Sequence, residues 1–292
     1  MIAPPTTSAM LHRLGRFSVF LRRFPGTHPV ANSLRKANYN RGVVDIDDFD
    51  GDIRMAVDLG EHMGSQIFWF GYYARDVLFA LRNKIRPGMV FLDVGANIGE
   101  VSLFAAKRVG PFGRVISFEP VNDLADRFAE NVARNGFEQV SLLRSGVADR
   151  EGEAVIFVQL SKFQDGSQHR GLGTIYQSEI RNESTQTIPL TTIDKVVDDL
   201  ELQRVDIMKV DIEGAELPAL HGAEKTLRRF KPSIAIEVAF DTCRQAGYEP
   251  KDILDYLTPF GYRFFRIGRR GKLSSMTAQE LGVWQDVLCV PA

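Results

Sequence analysis

Short apolar runs alternate with amphipathic segments through most of the chain. Val90, Phe91 and Leu92 form one such run after the turn-forming Pro87-Gly88, and they lead into a turn that contains Gly95 and Gly99. An uninterrupted apolar run of this length is typical of a parallel strand that is covered on both faces. The same pattern predicts further strands over 114–118, 140–143, 206–210 and 233–238, and helices over 101–109, 122–135, 193–202 and 252–259, with another ending at 230.

Strands that alternate with helices at this spacing predict an α/β fold with right-handed crossovers and a parallel sheet. The alternation breaks after Asp149, where extended pieces over 154–158 and 187–190 predict a β-hairpin insertion after the third strand. Its polar, glycine-rich loop over 161–174 either covers a site or is a surface loop without a role. No helix separates the last two predicted strands, 262–267 and 286–290, so we expect an antiparallel pair.

The first forty residues differ from the rest. Segment 10–24 predicts an amphipathic helix with the apolar stripe Met10, Leu14, Phe17, Leu21 and Phe24. Two interpretations remain open: a membrane-surface helix or organelle presequence, or a terminal helix that packs on its own domain. Segment 25–40 contains two prolines and little periodicity, and it predicts a linker before a domain over 41–292. Segments 43–46 and 53–57 predict a hairpin around an acidic turn.

The composition and net charge of the chain exclude several classes of protein. The 292 residues are 44% hydrophobic, enough for one large domain, and the net charge of −1 argues against nucleic acid as a partner. This net charge hides an asymmetry, because seven basic residues and no acidic one precede Asp45. Two distant cysteines support neither a disulfide framework nor a zinc site, and no apolar run approaches the roughly 20 residues that span a bilayer. We therefore expect a cytoplasmic protein.

Acidic residues stand at the ends of nearly all the core strands. They are Asp93, Glu119, Asp149, Asp211 with Glu213, and Glu237. In an open parallel sheet, ligands bind beyond the carboxyl ends of the strands, so these side chains should surround one site. Gly99 begins a helix whose free N–H groups face that site, and Glu119, twenty residues later, occupies the position of a carboxylate that accepts ribose hydroxyls.

Four segments together carry a resemblance. FLDVGANIG, a strand ending in FEP, IMKVDIEGAE and SIAIEV resemble the S-adenosylmethionine-dependent methyltransferases of the FkbM family, over about residues 40 to 292. The resemblance implies a class I methyltransferase (Rossmann-like) sheet of seven strands, mostly parallel with an antiparallel last strand and helices on both faces. It also implies S-adenosylmethionine as cofactor and O-methylation of a small-molecule acceptor, a sugar of a glycolipid, polysaccharide or secondary metabolite.

Site residues follow from the matching positions. Asp93, Gly95, Ala96, Asn97 and Gly99 should surround the methionine part of the cofactor, Glu119 with Pro120 its ribose, and Ala148 with Asp149 the adenine edge. The predicted catalytic residues are Asp211, Glu213, Lys209 and Glu237.

Methyl transfer to a hydroxyl needs alignment and a group that removes the proton. Asp211 is the first candidate base, provided that burial or neighbouring carboxylates such as Glu213 and Glu237 raise its pKa. Lys209 shares a strand face with Asp211 and would pair with it. We expect no metal, although Asp211 and Glu237 also suit a hard-cation site, which the resemblance does not require.

Two other functions remain as alternatives. One is a non-catalytic or peripheral binding protein whose basic N-terminus, with weak membrane contact through 10–24, docks on an anionic membrane or partner. The other, nicotinamide-dependent oxidoreduction, is disfavoured because the spacing G-A-N-I-G does not match G-x-G-x-x-G.

Overall fold

We analysed a computed structural model that describes residues 5–21, 24, 26–38, 41–159, 173–176 and 183–292. The described residues form two compact units, one up to Tyr73 and one from Ala74 onward. The boundary predicted at residue 41 falls inside the first unit, and as a domain boundary it stays a prediction. Most of the predicted loop 161–174 lies outside the described residues.

The described part of the first unit consists of three helices and a hairpin. Its elements are α1 (Pro5–Leu21), α2 (His28–Ala37), β1 (Val43–Phe49), β2 (Ile53–Asp58) and α3 (His62–Phe70). The antiparallel pairing of β1 with β2 confirms the predicted hairpin. The Ser18 hydroxyl on α1 donates a buried 2.8 Å hydrogen bond to the carbonyl oxygen of Trp69 on α3. The N-terminal helix therefore packs within its own unit.

The prediction of a linker over 25–40 is wrong, because the segment contains α2. Pro29 stands at the second helical position, where a missing N–H costs no hydrogen bond. Ala31 and Arg35 form the buried face of this helix. The periodicity is short and rests on an alanine and an arginine, which apolar patterning does not register.

The second unit is built on a twisted eight-stranded sheet. Its helices and strands follow in chain order: α4 (Arg75–Arg82), β3 (Val90–Val94), α5 (Glu100–Val109), β4 (Arg114–Phe118), α6 (Asn122–Asn135), β5 (Val140–Leu143), β6 (Gly146–Val147), β7 (Gly152–Gln159), β8 (Gly173–Thr174), β9 (Glu183–Thr191), α7 (Ile193–Asp199), β10 (Ile207–Val210), α8 (Glu216–His221), α9 (Glu224–Phe230), β11 (Ser233–Ala239), α10 (Phe240–Gln245), α11 (Pro250–Leu257), β12 (Tyr262–Gly268), β13 (Lys272–Met276) and β14 (Trp284–Pro291).

The sheet order is β13-β12-β14-β11-β10-β3-β4-β5. The five strands from β11 to β5 are parallel, whereas β14 pairs antiparallel with both β11 and β12. The mostly parallel sheet with a reversed last strand is the fold that the sequence predicts. The sheet has eight strands rather than seven, because the exposed polar segment β13 adds an edge strand without an apolar pattern.

One face of the sheet carries the main apolar core. Leu92, Val94, Met208 and Val210 point into this core together with residues of α7, α8, α9 and α11. Because side chains alternate along a strand, Asp93 and Lys209 point to the opposite face, where α5 packs. The two charged side chains are directly opposite each other in the β3–β10 register.

The predicted insertion forms a second sheet, with strand order β6-β9-β7-β8. β7 and β9 pair antiparallel along their length, which confirms the hairpin. The helix predicted to end at residue 230 is broken into α8 and α9 at Gly222, where a Cβ would collide with the carbonyl oxygen of Ala148. No helix in the described part of the chain is long and apolar enough to cross a bilayer.

Candidate active site

The turn between β3 and α5, residues 95–99, is here named the cofactor loop. Gly95, Asn97 and Gly99 all have positive φ, at 85°, 52° and 95°. A Cβ at Gly95 would collide with the carbonyl oxygen of Asp211, and one at Gly99 with the Phe128 ring. The two glycines are therefore required by close packing of the loop as well as by its backbone conformation.

Glu119 directly follows β4, and its side chain holds the cofactor loop through a hydrogen bond. Its Oε2 accepts a hydrogen bond from the Asn97 backbone N–H at 2.8 Å, and its Oε1 accepts one from Val121 at 2.9 Å. Burial raises the pKa of Glu119 to about 7, although both backbone hydrogen bonds lower it. A carboxylate has about four acceptor positions, so two remain for the hydroxyls of a ribose.

Asp93 is fully buried beneath the cofactor loop. Its Oδ2 accepts a 2.5 Å hydrogen bond from the Ser102 hydroxyl, which also bonds Ser117. Burial raises the pKa of Asp93 above its ordinary value, and Lys209 opposes that shift. Asp93 Oδ1 lies 3.6 Å from Lys209 Nζ, and the role of Asp93 in binding the methionine part of the cofactor stays a prediction.

The remaining predicted cofactor residues lie at neighbouring strand ends. Ala96 is buried and its N–H donates to the carbonyl oxygen of Phe118. Pro120 accepts a 2.8 Å hydrogen bond from the Gln186 side chain, which ties the insertion to this edge. Ala148 is buried, whereas Asp149 exposes 45% of its side chain and is open to a ligand. Their roles in binding stay predictions.

Lys209 cross-links the ends of β3 and β10. Its Nζ donates to the carbonyl oxygen of Gly95 at 2.6 Å and lies 3.4 Å from Asp211 Oδ2 and 3.6 Å from Asp93 Oδ1. Burial lowers the pKa of Lys209, but Asp211 and Asp93 raise it more, so that the net pKa lies above its ordinary value. Lys209 therefore remains a cation that neutralises the carboxylates and holds the cofactor loop.

The loop after β10, residues 211–216, is organised by Glu216. This buried carboxylate accepts hydrogen bonds from the backbone N–H groups of Ile212 at 2.9 Å and Gly214 at 3.0 Å, and from the Tyr248 hydroxyl at 3.2 Å. Glu213 adopts φ 54°, a left-handed conformation that costs a residue other than glycine about 1 kcal/mol or more. Such strain is typical of functional sites, where the surrounding structure maintains it.

Four acidic side chains meet at the ends of β10, β11 and β14; we name them the carboxylate cluster (Asp211, Glu213, Glu237 and Asp286). Oxygen atoms of the first three lie within 4.8 Å of one another. Glu237 and Asp286 are directly opposite in the β11–β14 register. Burial, together with Asp211, raises the pKa of Glu213 to about 8 and that of Asp286 to about 7. The pKa of Glu237 is also raised, by burial and then by Asp211 and Glu213.

These carboxylates have two chemical uses. Carboxylate oxygens are the ligands that hard divalent cations prefer, so Asp211, Glu213 and Glu237 form a candidate cation site. Groups whose pKa lies near neutral pH are also suited to accept a proton. Lys209, which already pairs with Asp211, favours the second use, since it balances part of the negative charge.

Sequence reasoning missed three residues of this edge: Glu216, Asp286 and Trp284. Glu216 stands within the quoted segment IMKVDIEGAE, but its role as an acceptor for backbone N–H groups depends on the loop conformation. Trp284 donates from Nε1 to Glu237 Oε1 at 2.7 Å. The sequence did contain a signal for Asp286 and Trp284. Because the last strand runs antiparallel to the others, its first residues lie at the edge where the parallel strands end.

Comparison with known proteins gives matches of differing extent. The curated relatives include the AMB antimetabolite synthetase AmbE of Pseudomonas aeruginosa, 29% identical over 206 residues that cover 61% of this chain and 9% of that protein. The hexuronic acid methyltransferase AglP of Haloferax volcanii is 27% identical over 63% of this chain and 67% of its own length.

A crystal structure of methyltransferase FkbM from Methylobacillus flagellatus matches 90% of this chain and 58% of that chain, with 17% identity and a TM-score of 0.43. The family model described as the methyltransferase FkbM domain matches residues 93–264, more than half of the chain, and these residues include the cofactor loop, Glu119 and the loop 211–216. The chain therefore belongs to the FkbM family of S-adenosylmethionine-dependent methyltransferases.

Proposed function

We propose that this methyltransferase transfers the methyl group to a hydroxyl of a neutral polar acceptor, a sugar unit of a glycolipid, polysaccharide or secondary metabolite. One observation carries the proposal: Glu213, with a pKa of about 8, lies beside the Lys209–Asp211 pair next to the cofactor loop. A hydroxyl is a poor nucleophile until its proton leaves, and this side chain is suited to accept that proton.

S-adenosylmethionine supplies an electrophilic methyl group on a positively charged sulfur. The residues present fit it, because Gly95 and Asn97 of the cofactor loop are partly exposed and Glu119 has acceptor positions left for a ribose. Glu119 would then hold both the cofactor loop and the ribose. Gly95 and Gly99 allow the close backbone approach that a bound nucleoside needs.

On the acceptor side, we assign the base role to Glu213 rather than to Asp211. Asp211 Oδ2 lies 3.4 Å from Lys209 Nζ, so this carboxylate is already engaged in an ion pair. Glu213 takes the proton of the hydroxyl while the oxygen forms its bond to the methyl carbon and the carbon–sulfur bond breaks. The products are a methyl ether, the neutral thioether and protonated Glu213.

The charge of the site favours a neutral acceptor. Anionic groups would enter a space that already contains the carboxylate cluster, and bringing another like charge there is unfavourable. The relative AglP is by name a hexuronic acid methyltransferase, so a carbohydrate class is reasonable, yet here an uncharged hydroxyl fits better than an acid.

Transfer of radiolabelled methyl to paired methyl glycosides tests this. We expect label on neutral methyl hexopyranosides, in a form stable to mild alkali as an ether is, and little on the matching methyl glucuronide. Label that alkali removes would indicate esterification of a carboxyl group and would contradict the proposal. Dialysis against EDTA separates a proton-accepting cluster, which keeps its activity, from a cation-dependent one.

A second proposal concerns α1, and a specific observation favours it. The predicted apolar stripe packs only in part: Leu14 and Leu21 are half-buried, whereas Met10, Phe17 and Phe24 expose 65%, 51% and 52% of their surface. We propose that this stripe, in a segment without acidic residues before Asp45, contacts an anionic membrane surface.

Vesicle sedimentation tests the contact. We expect binding to vesicles that contain phosphatidylglycerol and little binding to pure phosphatidylcholine. The variant Phe17→Ser should weaken it about tenfold, while Phe112→Ser, at a residue that is 91% exposed in the second unit, serves as the matched control. Equal binding of the two variants would contradict the proposal.

A further inference from the structure

Trp284 is an exposed aromatic residue at the edge that carries the carboxylate cluster. It begins β14, and 59% of its surface is accessible. Because β14 runs antiparallel to β11, its first residues lie where β10 and β11 end. Trp284 therefore presents apolar surface to solvent directly beside polar side chains, and an indole ring gains free energy when that surface leaves water.

The indole is held in place by its polar end. Its Nε1–H donates to Glu237 Oε1 at 2.7 Å, which fixes the ring plane relative to β11. In the register of these strands Trp284 is opposite Ala239 and Asp286 is opposite Glu237. The hydrogen bond shows that Trp284 lies on the same side of the sheet as Glu237, and alternation along β14 places Asp286 there as well. The ring is thus presented with little loss of conformational freedom on binding.

This ring stands next to the acceptors of the transfer site. Glu237, which the indole bonds, has an oxygen within 4.8 Å of oxygens of Asp211 and Glu213. Carboxylates accept hydrogen bonds from hydroxyl groups, whereas an aromatic face packs against C–H groups. A sugar ring carries both kinds of surface: hydroxyls at its edge and an apolar C–H face. An acyclic polyol has the hydroxyls without the flat face.

We propose that Trp284, Glu237 and Asp286 form the acceptor subsite, in which a neutral pyranose ring stacks on the indole and donates its hydroxyl hydrogens to the two carboxylates. This inference rests on the proposed O-methyl transfer and names its substrate class. The stacked ring presents one hydroxyl to Glu213 and the others to Glu237 and Asp286.

A binding experiment tests the subsite without requiring turnover. The chain has two tryptophans, and Trp69 is fully buried, so that acrylamide quenching of the intact protein reports mainly on Trp284. We expect methyl hexopyranosides to protect this fluorescence saturably, whereas glucitol and methyl glucuronide protect it weakly. The variant Trp284→Phe should remove the quenchable component and so confirm its source. Absence of protection by every neutral pyranoside overturns the inference.

A kinetic experiment separates two roles of Trp284: stacking against the acceptor, and the hydrogen bond that its N–H group donates to Glu237. On an acceptor that the wild type methylates, Trp284→Ala should raise KM about tenfold, the value of one aromatic contact, and leave the Kd of S-adenosylmethionine unchanged. Trp284→Phe keeps an aromatic face without the N–H group and should recover most of the affinity. Phe112→Ala is the matched control for loss of an exposed aromatic ring, since Phe112 is 91% exposed.

The outcomes are distinguishable. If Trp284→Phe is as impaired as Trp284→Ala, the indole acts through Glu237 and the stacking proposal is overturned. If KM in Trp284→Ala equals that of Phe112→Ala, the ring does not contact the acceptor. If pyranosides protect Trp284 but none is methylated by the wild type, the subsite stands and the proposed O-methyl transfer fails.

Discussion

The cofactor loop and the carboxylate cluster lie at the same edge of one sheet, but their buried acidic side chains have different partners. Glu119 has both oxygens bonded to backbone N–H groups of rigid elements. In the cluster, carboxylates face one another, and Lys209 offsets part of their charge. The first arrangement stabilises a fixed binding surface. In the carboxylate cluster, the repulsion between like charges is unfavourable, and protonation or a hydrogen bond from a bound hydroxyl relieves it.

The largest effect is expected from Glu213→Gln, which removes the proposed base and leaves the residues around the cofactor loop unchanged. We expect kcat to fall by about 10²- to 10⁴-fold. S-adenosylmethionine should bind as before in calorimetry. In the wild type, kcat/KM should rise with pH and level off above about 8, because a base acts when it is deprotonated and burial raises the pKa of Glu213 to about 8. Asp211→Asn is the comparison: a larger loss there than in Glu213→Gln would return the base role to Asp211.

Gly95→Ala disrupts the close packing between the cofactor loop and the backbone of Asp211. A Cβ at Gly95 would collide with the carbonyl oxygen of Asp211 on a backbone with φ 85°. Steric overlap and backbone strain together should lower the free energy of unfolding by about 3 kcal/mol or more. Gly136→Ala is the matched control, since Gly136 has φ 61° and open space around the Cβ position. Urea denaturation of both variants measures the difference, and equal losses would show that the close approach contributes nothing.

Glu119→Gln tests the cofactor side alone. We expect the Kd of S-adenosylmethionine to rise about 10- to 100-fold, because a charged acceptor of several hydrogen bonds is lost. The pKa of Glu119 is about 7, and ribose hydroxyls favour the ionised form, so wild-type affinity should fall as pH drops below about 7. Calorimetry between pH 6 and 8 checks the slope, which should be absent in Glu119→Gln. The exposed Glu138→Gln is the control, and a slope retained in Glu119→Gln would assign the titration elsewhere.

The smallest expected effect is a change in the free energy of unfolding. Its sign should differ between a carboxylate that faces other carboxylates and one that accepts backbone hydrogen bonds. Burial and like charges raise the pKa of Glu237 in the folded protein, so that stability is lost as pH rises from the unfolded value toward the folded one. Glu237→Gln should therefore raise the free energy of unfolding at pH 8 by about 1 to 2 kcal/mol. The same substitution at Glu216, which accepts backbone hydrogen bonds at 2.9 and 3.0 Å, should destabilise the protein. Denaturation at pH 5 and pH 8 measures both, and destabilisation by Glu237→Gln at pH 8 would contradict this view.

The two regions also differ in how far the sequence predicts them. The strands that lead to Gly95 and Glu119 have strong apolar patterns, and the order of a parallel sheet brings their ends together. β3, β4 and α6 lie where they are predicted, and the reversed last strand is confirmed. The resemblance to the FkbM family is confirmed over 93–264.

The rest depends on tertiary contacts that periodicity does not encode. Asp93 stands at a predicted strand end, but its hydrogen bond with the Ser102 hydroxyl depends on how α5 packs on the sheet. α10 has six residues and directly follows β11, too short for a helical pattern to separate it from the strand. The raised pKa of Glu213 results first from burial and then from Asp211 and Glu216, which the fold of the loop after β10 brings close to it. Only the folded chain brings these charges within reach of one another.

The reversed strand β14 has a consequence for how such enzymes diversify. The residues that match the family model end at 264, whereas the proposed acceptor platform begins at 284. If the proposed subsite is right, Trp284 and Asp286 place part of the acceptor site outside the segment that matches the family model, whereas the residues proposed to bind the donor lie inside it. Exchange of the final strand between relatives would alter which molecule is methylated while leaving the methyl donor the same.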